Sequence, residues 1–530
     1  MTRIVDINVF PIAAPPTGFG GDARNIAQGG PTYANVVLEI ITDHPGLKGT
    51  AIIFTNGHGL LESCNFTRSV ARRFLLDRQQ PVALDELHRD GNLGKLARRF
   101  LQDSDYSWLG GVGVSRMAIG AVVNGLWDIV AKLQGVPAWQ WLADRSPEEL
   151  LAFIDFEHLG DVLSPREALA IFQQAQEGKQ QRIEEIYQRG LLAYNTAGWS
   201  GISLEGLADQ TVRMIRAGWP QIKIKVAASW SALRAKADEE GRVPDREELD
   251  RMALQAARED AERLILVYRT IDQQDSRERK MTVAVDSNQV FDPHSALVFI
   301  TALAEQIYAD NPAHKLEWFE EPVNQHSAQG HVWLQQQLTR TFGDYNPPLQ
   351  VPISTGEHGA SPVTFKDLLH APALDGGSER YAIDVIQMDY SRVGGIGDNL
   401  AILLLAQKAR LEGRDVRICP HTGGIGLCEG MRQVQAVKQA LFGSTNRGGV
   451  ADILEFVAEE TRSVHEGVFI NPAVVVDGYY QMNRTPGVGV DYTDEGIVNY
   501  RLPDGKAWQA NEKYRALAEQ FLQVTPPVAD

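Results

Sequence analysis

Three acidic residues end successive apolar segments in the middle of the chain, and their side chains could hold a metal ion. They are Asp286 in MTVAVDSN, Glu320 in KLEWFEEP and Glu357 in PISTGEH. Three carboxylates that converge without a cation repel one another strongly. Carboxylate oxygens, with water and substrate filling the remaining positions, are the ligands that Mg²⁺ prefers. The three acids together therefore predict a Mg²⁺ site, although any one of them alone would indicate a strand-end cap or an ion pair.

Two lysines separated by a single residue, Lys223 and Lys225, could supply a catalytic base. Side chains two residues apart on a strand face the same side, so both amines should point to one place. A lysine beside a metal and a second cation has a lowered pKa and can accept a proton near neutral pH. The alternative is an exposed strand with solvated lysines, and the apolar neighbours Ile222, Ile224 and Val226 weaken it.

A carboxylate and an imidazole form the second candidate acid–base group, Asp389 in YAIDVIQMD and His421 in DVRICPHTG. A carboxylate beside an imidazole fixes its tautomer and raises its pKa. Gly423, Gly424 and Gly426 follow the histidine, and glycine allows a close approach of the backbone to a ligand. The alternative for a single histidine is a buried structural residue. A metal, a lysine and this pair together suit removal of a proton α to a carboxylate, with the metal stabilising the charge that forms.

The spacing of these residues indicates the elements that would bring them together. Polar residues end successive strand-like segments in steps of 34, 37, 32, 32 and 34 residues, at Asp286, Glu320, Glu357, Asp389, His421 and Glu455. A strand followed by a helix takes about 30 residues or slightly more. The carboxyl ends of the strands of a (β/α)8 barrel form one face, where active sites are built. The spacing therefore predicts an α/β barrel whose mouth gathers these side chains.

Short apolar segments alternate with helical ones from about residue 150, which favours a parallel sheet. We predict strands at LLAFIDF, PQIKIKV, MTVAVDSN, KLEWFEEP, PISTGEH, YAIDVIQMD, DVRICPHTG and in ADILEFVAEE. The 61 residues from Lys225 to Asp286 are nearly twice the usual step and indicate an insertion at about 228–262. A solvated surface extension is the simpler interpretation of this insertion, and a role in oligomer contacts is the alternative.

The region before residue 150 mixes strands and helices. RIVDINVFPI and YANVVLEIIT have the β-branched residues of strands. GVGVSRMAIGAVVNGLWDIVAKLQG is typical of a buried helix, which the small residues Gly120, Ala121 and Gly125 would allow to pack closely.

Composition limits the partners and the compartment. The 51 basic and 68 acidic side chains give a net charge of −17, which disfavours nucleic acids and anionic membranes as partners. Three cysteines without a CxxC motif are typical of a reducing cytoplasm. We find neither a signal-peptide pattern nor an apolar run of membrane-spanning length. We therefore expect a cytoplasmic protein with a small-molecule substrate.

The adjacent acids Glu320 and Glu321 need separate explanations, because neighbouring residues of a strand point to opposite sides. We expect Glu320 to face the metal. We expect Glu321 to face a basic group in the barrel wall.

Several motifs resemble a known family. IKIKV, VDSNQ, WFEEP, STGEH, IQMD and CPHTGG resemble the mandelate racemase subgroup of the enolase superfamily. Longer segments are similar to the L-fuconate dehydratases of that subgroup: IDFEHLGDVLSPREAL, AYNTAGWSG, VDSNQVFD, ISTGEHGASPVTFKDLL and CPHTGGIGLCE. The resemblance extends from about Asp6 to about Trp508. It departs from the family at the insertion and in LLDRQQPVALDEL, which lacks the basic residue expected near Gln80 to Val82.

The resemblance implies a fold of two parts. A (β/α)7β modified TIM barrel, residues 149–465, would carry the catalytic residues. An α+β capping domain, residues 1–148, would cover it with a lid loop at about 16–32. The C-terminal segment, residues 466–530, would return to the capping domain.

The resemblance also implies roles for individual residues. The Mg²⁺ ligands would be Asp286, Glu320 and Glu357. The catalytic residues would be Lys225, which removes the C2 proton, Lys223 beside the substrate carboxylate, and His421 with Asp389, which help the 3-hydroxyl to leave. The substrate would contact Asp22, Asn288 and Glu455. Asp22 lies in GFGGDARN, and the glycines of this segment, Gly18, Gly20 and Gly21, suit a mobile lid.

The activity implied is that of a Mg²⁺-dependent hydro-lyase of carbohydrate catabolism. L-fuconate would give 2-keto-3-deoxy-L-fuconate by C2 proton abstraction through a metal-stabilised enediolate and loss of the 3-hydroxyl. The alternatives are a dehydratase for a different sugar acid, a racemase or epimerase of the same superfamily, and a non-catalytic scaffold. We expect a homo-oligomer with an acid-sugar substrate and without nucleic-acid or membrane partners.

Overall fold

The computed structural model describes residues 2–15, 21–24, 33–371, 381–444, 452–457 and 467–523. Most of the predicted lid loop at about 16–32, including Gly18 and Gly20, lies outside these ranges. Gly21 and Asp22 lie within them.

A three-stranded antiparallel sheet, in the order β1–β2–β3, forms the centre of the N-terminal region. Its strands are β1 Ile4–Ala13, β2 Ala34–Thr42 and β3 Lys48–Thr55. The first two match the predicted strands, and β3 adds a mostly buried third strand. The helices that accompany the sheet are α1 Leu60–Ala71, α2 Asn92–Leu101, α3 Ser104–Ser107, α4 Val114–Leu133, α5 Ala138–Ala143, α6 Pro147–Leu151, α7 Pro165–Gln174 and α8 Lys179–Arg189, with a π-helical turn at Arg72–Leu76 and a 3-10 turn at Leu84–Glu86.

Helix α4 is the buried helix that the sequence predicts, and its glycines explain how closely it packs. A Cβ at Gly120 would lie 2.3 Å from the carbonyl oxygen of Val393, and a Cβ at Gly125 would lie 2.8 Å from Cδ1 of Ile40. Among the described helices, α4 alone is long and apolar enough to cross a membrane, but 89% of that apolar stretch is buried inside the protein. It is therefore placed as a core helix between the N-terminal sheet and the barrel.

Eight parallel strands form the barrel. They are β4 Leu191–Ala197, β5 Gln221–Lys225, β6 Thr282–Asp286, β7 Leu316–Glu320, β8 Ile353–Thr355, β9 Val385–Ile386, β10 Arg417–Ile418 and β11 Leu454–Phe456. Strands β4 to β10 pair in chain order, and β11 pairs with β4. The amide of Glu455 donates to the carbonyl oxygen of Pro420 at 3.3 Å, which closes the circle beside β10.

In the described residues, helices follow seven of these strands, in agreement with a (β/α)7β arrangement. They are α9 Leu204–Arg216, α10 Ala228–Glu239, α11 Arg246–Gln274, α12 Pro293–Asp310, α13 Ala328–Phe342, α14 Pro362–His370, α15 Ile396–Leu411 and α16 Leu427–Phe442. Two of them, α10 and α11, lie between β5 and β6 and account for the long step in the sequence.

The predicted first barrel strand, LLAFIDF, is wrong. Leu150 and Leu151 end helix α6, which begins with a capping box between Ser146 and Glu149 and has Pro147 at its first position. The apolar residues that follow are buried without forming a strand. A short apolar run does not distinguish a strand from a buried helix end, and the first barrel strand is β4, further along the chain.

The insertion and Arg263, the residue directly after it, support the ends of three barrel strands, so this region is more than a solvated extension. Trp230 of α10 donates through Nε1 to the carbonyl oxygen of Val290, 3.3 Å away, beyond β6. Asp260 of α11 accepts from the amide of Ala227 at 2.7 Å. Arg263 donates to the carbonyl oxygens of Lys225 and Gly198, both at 2.8 Å.

The C-terminal segment returns to the N-terminal sheet after a hairpin on β4. The hairpin consists of β12 Val475–Val476 and β13 Tyr479–Tyr480, and β13 pairs with β4. Three helices follow, at Asp494–Tyr500, Lys506–Gln509 and Glu512–Gln523. Nε1 of Trp508 donates to the carbonyl oxygen of Ala13 at 2.7 Å. The backbone amide of Leu502 donates to the carbonyl oxygen of Pro11 at 3.1 Å.

A separate apolar cluster fills the inside of the barrel below its mouth. Its members are Tyr194, Ala284, Trp318, Val385, Cys419 and Ile453. The rings of Tyr194 and Trp318 meet edge to face with centroids 5.3 Å apart. The polar side chains of the barrel mouth pack directly above this cluster. All three cysteines are buried free thiols.

Candidate active site

The two lysines of β5 point into the mouth of the barrel, where both are buried. Lys223 is 1% exposed and Lys225 is 5% exposed. Nζ of Lys223 lies 2.6 Å from Oε1 of Glu320 and 2.9 Å from Oε1 of Glu455. Nζ of Lys225 contacts the carboxylate of Asp286 and lies 3.2 Å from Oδ1 of Asn288. The alternative of solvated lysines is therefore wrong.

The side chains around Lys225 raise its pKa, and the lowering expected beside a bound metal stays a prediction. Burial is the largest single effect and lowers the pKa of this ammonium, as does Lys223. The carboxylates of Asp286, Glu357 and Asp22 together nevertheless raise the pKa above the ordinary value. Glu320 and Glu455 likewise raise the pKa of Lys223 against the effect of burial. In this arrangement both lysines are charged partners of carboxylates.

The three predicted metal ligands converge on one point. One carboxylate oxygen from each of Asp286, Glu320 and Glu357 lies within 4.8 Å of the other two, and all three residues are buried. Asp286 and Glu320 are the last residues of β6 and β7, and the register of these two strands places them side by side. Glu357 lies two residues beyond the end of β8. Three oxygen donors at this separation fit a hard divalent cation.

Glu320 is held from several sides. Oε2 accepts from Nε1 of Trp318 at 3.0 Å and from the amide group of Gln387. Burial and the neighbouring carboxylates of Asp286 and Glu455 raise the pKa of Glu320 to about 8, although Lys223 acts in the opposite direction. Burial also opposes ionisation of Glu357, but His421 and other cations hold its pKa below the ordinary value. Glu320 and Glu357 therefore shift in opposite directions, and the charge of Glu320 is the one that the neighbouring cations do not fully offset.

The predicted imidazole pair lies across the mouth from the lysines. Nδ1 of His421 is 2.9 Å from Oδ2 of Asp389, and Asp389 also accepts from the amide of Ser391 at 2.7 Å. Burial lowers the pKa of His421, but Glu357 and Asp389 raise it to about 9. The backbone amide of Gly423 lies 3.1 Å from Nε2, and Oε2 of Glu357 lies 3.5 Å from the same nitrogen, whereas Nδ1 is occupied by Asp389. Nε2 is therefore the nitrogen that would exchange a proton with a substrate.

Glu455 and Asn288, two of the predicted substrate contacts, are already engaged by the protein. Glu455 accepts from Lys223, from the hydroxyl of Thr196 and from the amide of Thr422, which is 2.8 Å away. Burial raises its pKa, but Lys223 and His421 lower it to about 2. Asn288 has a left-handed backbone, with φ of 50°. These contacts make both residues supports of the lysines.

One cavity gathers seven of the ten predicted site residues. Its lining consists of Asp22, Tyr33, Phe54, Asn56, Thr196, Trp199, Lys223, Lys225, Asn288, Glu357, His358, Arg392, His421, Gly423, Glu455 and Val457. The other three, Asp286, Glu320 and Asp389, are buried directly beneath it and contact lining residues. Asp22, Tyr33, Phe54 and Asn56 come from the N-terminal region, so the cavity lies between that region and the barrel mouth.

The glycines after His421 serve packing more than ligand approach. A Cβ at Gly424 would lie 2.5 Å from ring carbons of Phe54 at the end of β3. A Cβ at Gly426, where φ is 78°, would lie 2.5 Å from Cδ1 of Ile52. Only Gly423 of the three lines the cavity. Gly424 and Gly426 therefore allow the N-terminal sheet to approach the barrel, which corrects the expectation that all three make room for a ligand.

Glu321 meets a histidine at the mouth, and one of its carboxylate oxygens lies within 4.8 Å of an oxygen of Glu357. It follows β7 with a left-handed φ of 48°. Oε1 lies 3.0 Å from Nδ1 of His358 and accepts from Nε2 of Gln289 at 2.7 Å. Burial and Glu357 raise the pKa of Glu321 to about 7. The expected basic partner is present, but it lies in the loop after β8 and lines the cavity, not in the barrel wall.

Sequence reasoning missed several residues that the fold brings to the site. His358 follows a predicted ligand directly, and Arg392 lies three residues after Asp389. Gln387 lies two residues before Asp389, so the alternation of a strand was a signal that it faces the same interior. Trp199 follows β4, and its ring centroid lies 5.4 Å from Nζ of Lys225. Trp199 was missed because the first barrel strand was predicted at LLAFIDF, so β4 was not recognised as the strand that precedes this residue.

Comparisons with known proteins agree with this architecture. A family model described as enolase C-terminal domain-like matches residues 206–496, more than half of the chain. L-galactonate dehydratase from Hypocrea jecorina is 31% identical over 509 residues, covering 95% of this chain and 94% of that protein. Mitochondrial enolase superfamily member 1 from Homo sapiens is 27% identical over 497 residues, covering 93% of this chain and 95% of that protein.

Solved structures show the same fold along nearly the whole chain. The crystal structure of human mitochondrial enolase superfamily member 1 has a TM-score of 0.75 at 27% identity, covering 96% of this chain and 98% of that chain. L-talarate/galactarate dehydratase from Salmonella typhimurium LT2, liganded with Mg and L-lyxarohydroxamate, has a TM-score of 0.59 at 19% identity, covering 94% and 93%. At that identity the second likeness concerns the fold alone.

Proposed function

Because this chain belongs to the enolase superfamily, we propose that its cavity catalyses the Mg²⁺-dependent dehydration of a sugar acid. The observation that carries the proposal is the opposition of two acid–base groups. Lys225 lies beside the carboxylate cluster on one side of the mouth, and the His421–Asp389 pair lies on the other side. A substrate held between them presents the proton on C2 to one group and the hydroxyl on C3 to the other.

The three clustered carboxylates would hold the metal. Asp286, Glu320 and Glu357 offer only oxygen donors, and a bound cation would relieve the repulsion between their carboxylates. Mg²⁺ bound there supplies a Lewis acid for the substrate carboxylate and so acidifies the α proton. The Mg ligand of L-talarate/galactarate dehydratase supports this choice of cation.

Lys225 is the proposed base for the C2 proton. Its amine must be neutral to accept that proton, and its contact with Asp286 opposes this. Asp286 is shared between Lys225 and the proposed ligand set, so the ammonium of Lys225 would lose part of its stabilisation if Asp286 held a cation. Lys223 stays fixed by Glu320 and Glu455 and contributes a positive charge beside the base.

His421 is the proposed acid for the leaving hydroxyl. Asp389 fixes the ring through Nδ1, and Nε2 is left to deliver a proton to the oxygen on C3. The C3–O bond breaks, the hydroxyl departs as water, and the C2 proton remains on Lys225 until solvent removes it. The resulting enol tautomerises to a 2-keto-3-deoxy acid.

We infer L-fuconate as the first candidate substrate, giving 2-keto-3-deoxy-L-fuconate, because the segments around the site resemble those of L-fuconate dehydratases. L-galactonate is the second candidate, favoured by the relative that is 31% identical. L-fuconate is 6-deoxy-L-galactonate, so the two acids differ only by the hydroxyl on C6. Asp22 is the proposed contact for the distal hydroxyls, because it reaches the cavity from the N-terminal region.

A panel of sugar acids tests the proposal. The purified protein is incubated with Mg²⁺ and L-fuconate, L-galactonate, galactarate and their C2 epimers, and the 2-keto product is measured. The expected result is product from an L-galacto-configured acid, which is lost when EDTA removes the metal. Exchange of the C2 proton with solvent deuterium without keto product would instead indicate a racemase or epimerase. Absence of both product and exchange for every acid would favour a non-catalytic scaffold.

A further inference from the structure

Two consecutive residues after β6 adopt a strained backbone that several hydrogen bonds hold in place. Asn288 and Gln289 have φ of 50° and 60°, the left-handed region that side chains other than glycine rarely adopt. Asp286, one of the clustered carboxylates, lies two residues earlier and accepts from the amide of Asn288 at 2.8 Å. This turn therefore forms part of the wall of the cavity, and its conformation needs bonds that offset its strain.

The side chain of Asn288 connects this turn to the proposed base. Oδ1 of Asn288 lies 3.2 Å from Nζ of Lys225 and accepts a hydrogen bond from it. The other partner of that amine is Asp286. A shift of the turn would therefore move one of the two groups that aim the Lys225 amine into the cavity.

Arg24 binds this turn from the N-terminal region. Its Nε donates to the carbonyl oxygen of Asn288 at 2.7 Å, and its Nη2 donates to that of Gln289 at 2.8 Å. The two left-handed residues present adjacent carbonyls to one guanidinium, a fork of donors that lysine does not offer. On the opposite side of the turn, the carbonyl of Glu321 accepts from the amide of Gln289 at 2.8 Å.

The segment that carries Arg24 has its own anchor. The carbonyl oxygen of Gly21 accepts from the amide of Ser200 at 3.1 Å, and the amide of Arg24 donates to Oδ1 of Asp22 at 2.7 Å. Because these bonds do not use the guanidinium, removal of the Arg24 side chain should leave the segment in place. Arg24 is also exposed, so its loss opens no hole in the core.

We propose that Arg24 is a positioning residue that sets the reactivity of Lys225 by fixing the Asn288–Gln289 turn. It touches neither the clustered carboxylates nor Lys225 in the described contacts, and it acts through the backbone of the turn. The N-terminal region then contributes to proton removal in addition to covering the cavity. This inference rests on the proposed function for the role of Lys225, but the geometry of the turn can be tested separately.

The kinetic test compares Arg24→Ala and Arg24→Lys with the parent protein on the acid that the panel identifies. Arg24→Ala should lower kcat and the rate of C2 proton exchange in parallel by about 10- to 100-fold, because a small misplacement of a reacting group costs that much. KM should change less than kcat. Added guanidinium ion should partly restore Arg24→Ala, and Arg24→Lys should recover little because it lacks the fork.

The matched control is Arg246→Ala. Arg246 is another exposed arginine, at the start of α11, and it binds Asp292 beyond the same turn with both contacts at 3.2 Å. Its loss should leave kcat within about 2-fold, as for a surface ion pair of small energetic weight. If Arg24→Ala kept the parent kcat and exchange rate, or if it raised KM alone, the positioning role would be wrong.

Hydrogen–deuterium exchange tests the turn without any substrate. Amides of a peptide spanning residues 286–291 should exchange faster in Arg24→Ala than in the parent protein or in Arg246→Ala. Unchanged exchange in Arg24→Ala would overturn the inference. If no sugar acid reacts with the parent protein, the proposed function fails, and the exchange measurement still decides whether Arg24 fixes the turn.

Discussion

Two buried ion clusters in the described part of the barrel, one toward each end, differ in charge balance. At the end below β10 and β11, Asp452 lies between two cations, Lys438 and Arg410, and Nη2 of Arg410 is 2.6 Å from Oδ1. Oδ1 also accepts from the amide of Ile418 at 2.8 Å. Burial raises the pKa of Asp452, but the two cations lower it below the ordinary value.

The cluster at the mouth has the opposite balance. Glu320 is as fully buried as Asp452, but it has one cationic contact, Lys223, and several carboxylate neighbours. Its pKa is raised to about 8. Two carboxylates with the same burial therefore shift in opposite directions, because the number of cations around each differs.

This difference separates a structural cluster from a site that requires a ligand. A buried acid with its full complement of cations holds two strands together and needs nothing further. A group of buried acids with too few cations is unfavourable on its own and becomes favourable when a cation binds. The raised pKa of Glu320 is therefore consistent with a cation site at the mouth, whereas Asp452 at the other end already has two cationic partners.

The largest expected effect comes from removing the proposed base at the mouth. Lys225→Met should lower turnover by about 1,000-fold or more, because it removes the group that takes the C2 proton. The far-ultraviolet circular dichroism spectrum should be unchanged in the presence of Mg²⁺. Steady-state assays on the identified sugar acid check this prediction. Retained turnover would exclude Lys225 as the base.

Neutralising the acid at the closed end should act on stability and not on chemistry. Asp452→Asn leaves Lys438 and Arg410 buried with an uncompensated charge, which costs about 3–5 kcal/mol of the free energy of unfolding. Urea unfolding with and without Mg²⁺ measures this loss, and added Mg²⁺ should not reverse the difference. If Mg²⁺ restored the stability of Asp452→Asn, the contrast between the two ends would be wrong.

The two adjacent glutamates at the end of β7 have different roles: Glu320 is a proposed metal ligand, and Glu321 is a support. Glu320→Gln removes a proposed ligand and should weaken Mg²⁺ binding by more than about 100-fold, whereas Glu321→Gln should weaken it by about 10-fold, as expected for a residue that supports a ligand. Isothermal titration calorimetry with Mg²⁺ measures both. Equal losses in the two variants would show that the split between ligand and support is mistaken.

The smallest expected effect concerns the packing of the N-terminal sheet against the barrel mouth. Gly424→Ala places a methyl group against the ring of Phe54 and should lower the free energy of unfolding by about 1–3 kcal/mol. Gly160→Ala is the control, because the nearest atom to its Cβ is the carbonyl oxygen of Phe156 at 3.7 Å. Thermal unfolding of both variants checks the prediction. An equal melting temperature for the two would remove the packing role of Gly424.

The amino-acid sequence predicts the barrel and most of the site because both depend on local periodicity. Glu320 and Asp286 end their strands, and Glu357, Asp389 and His421 lie two or three residues beyond theirs. Parallel strands separated by helices carry their carboxyl ends to one face, so regular spacing along the chain becomes proximity in space. The first strand was misplaced because a short apolar run has the same composition in a strand and in a buried helix end.

Residue types and their spacing alone determined that acids, lysines and a histidine would meet at the mouth of an α/β barrel. Only the tertiary structure decided which charges pair there. It placed Asp286 against Lys225, turned Glu321 to His358, and brought Arg24 across the N-terminal region to the carbonyls of Asn288 and Gln289. These contacts join residues far apart in the chain, and burial sets their strength, so no local pattern reports them.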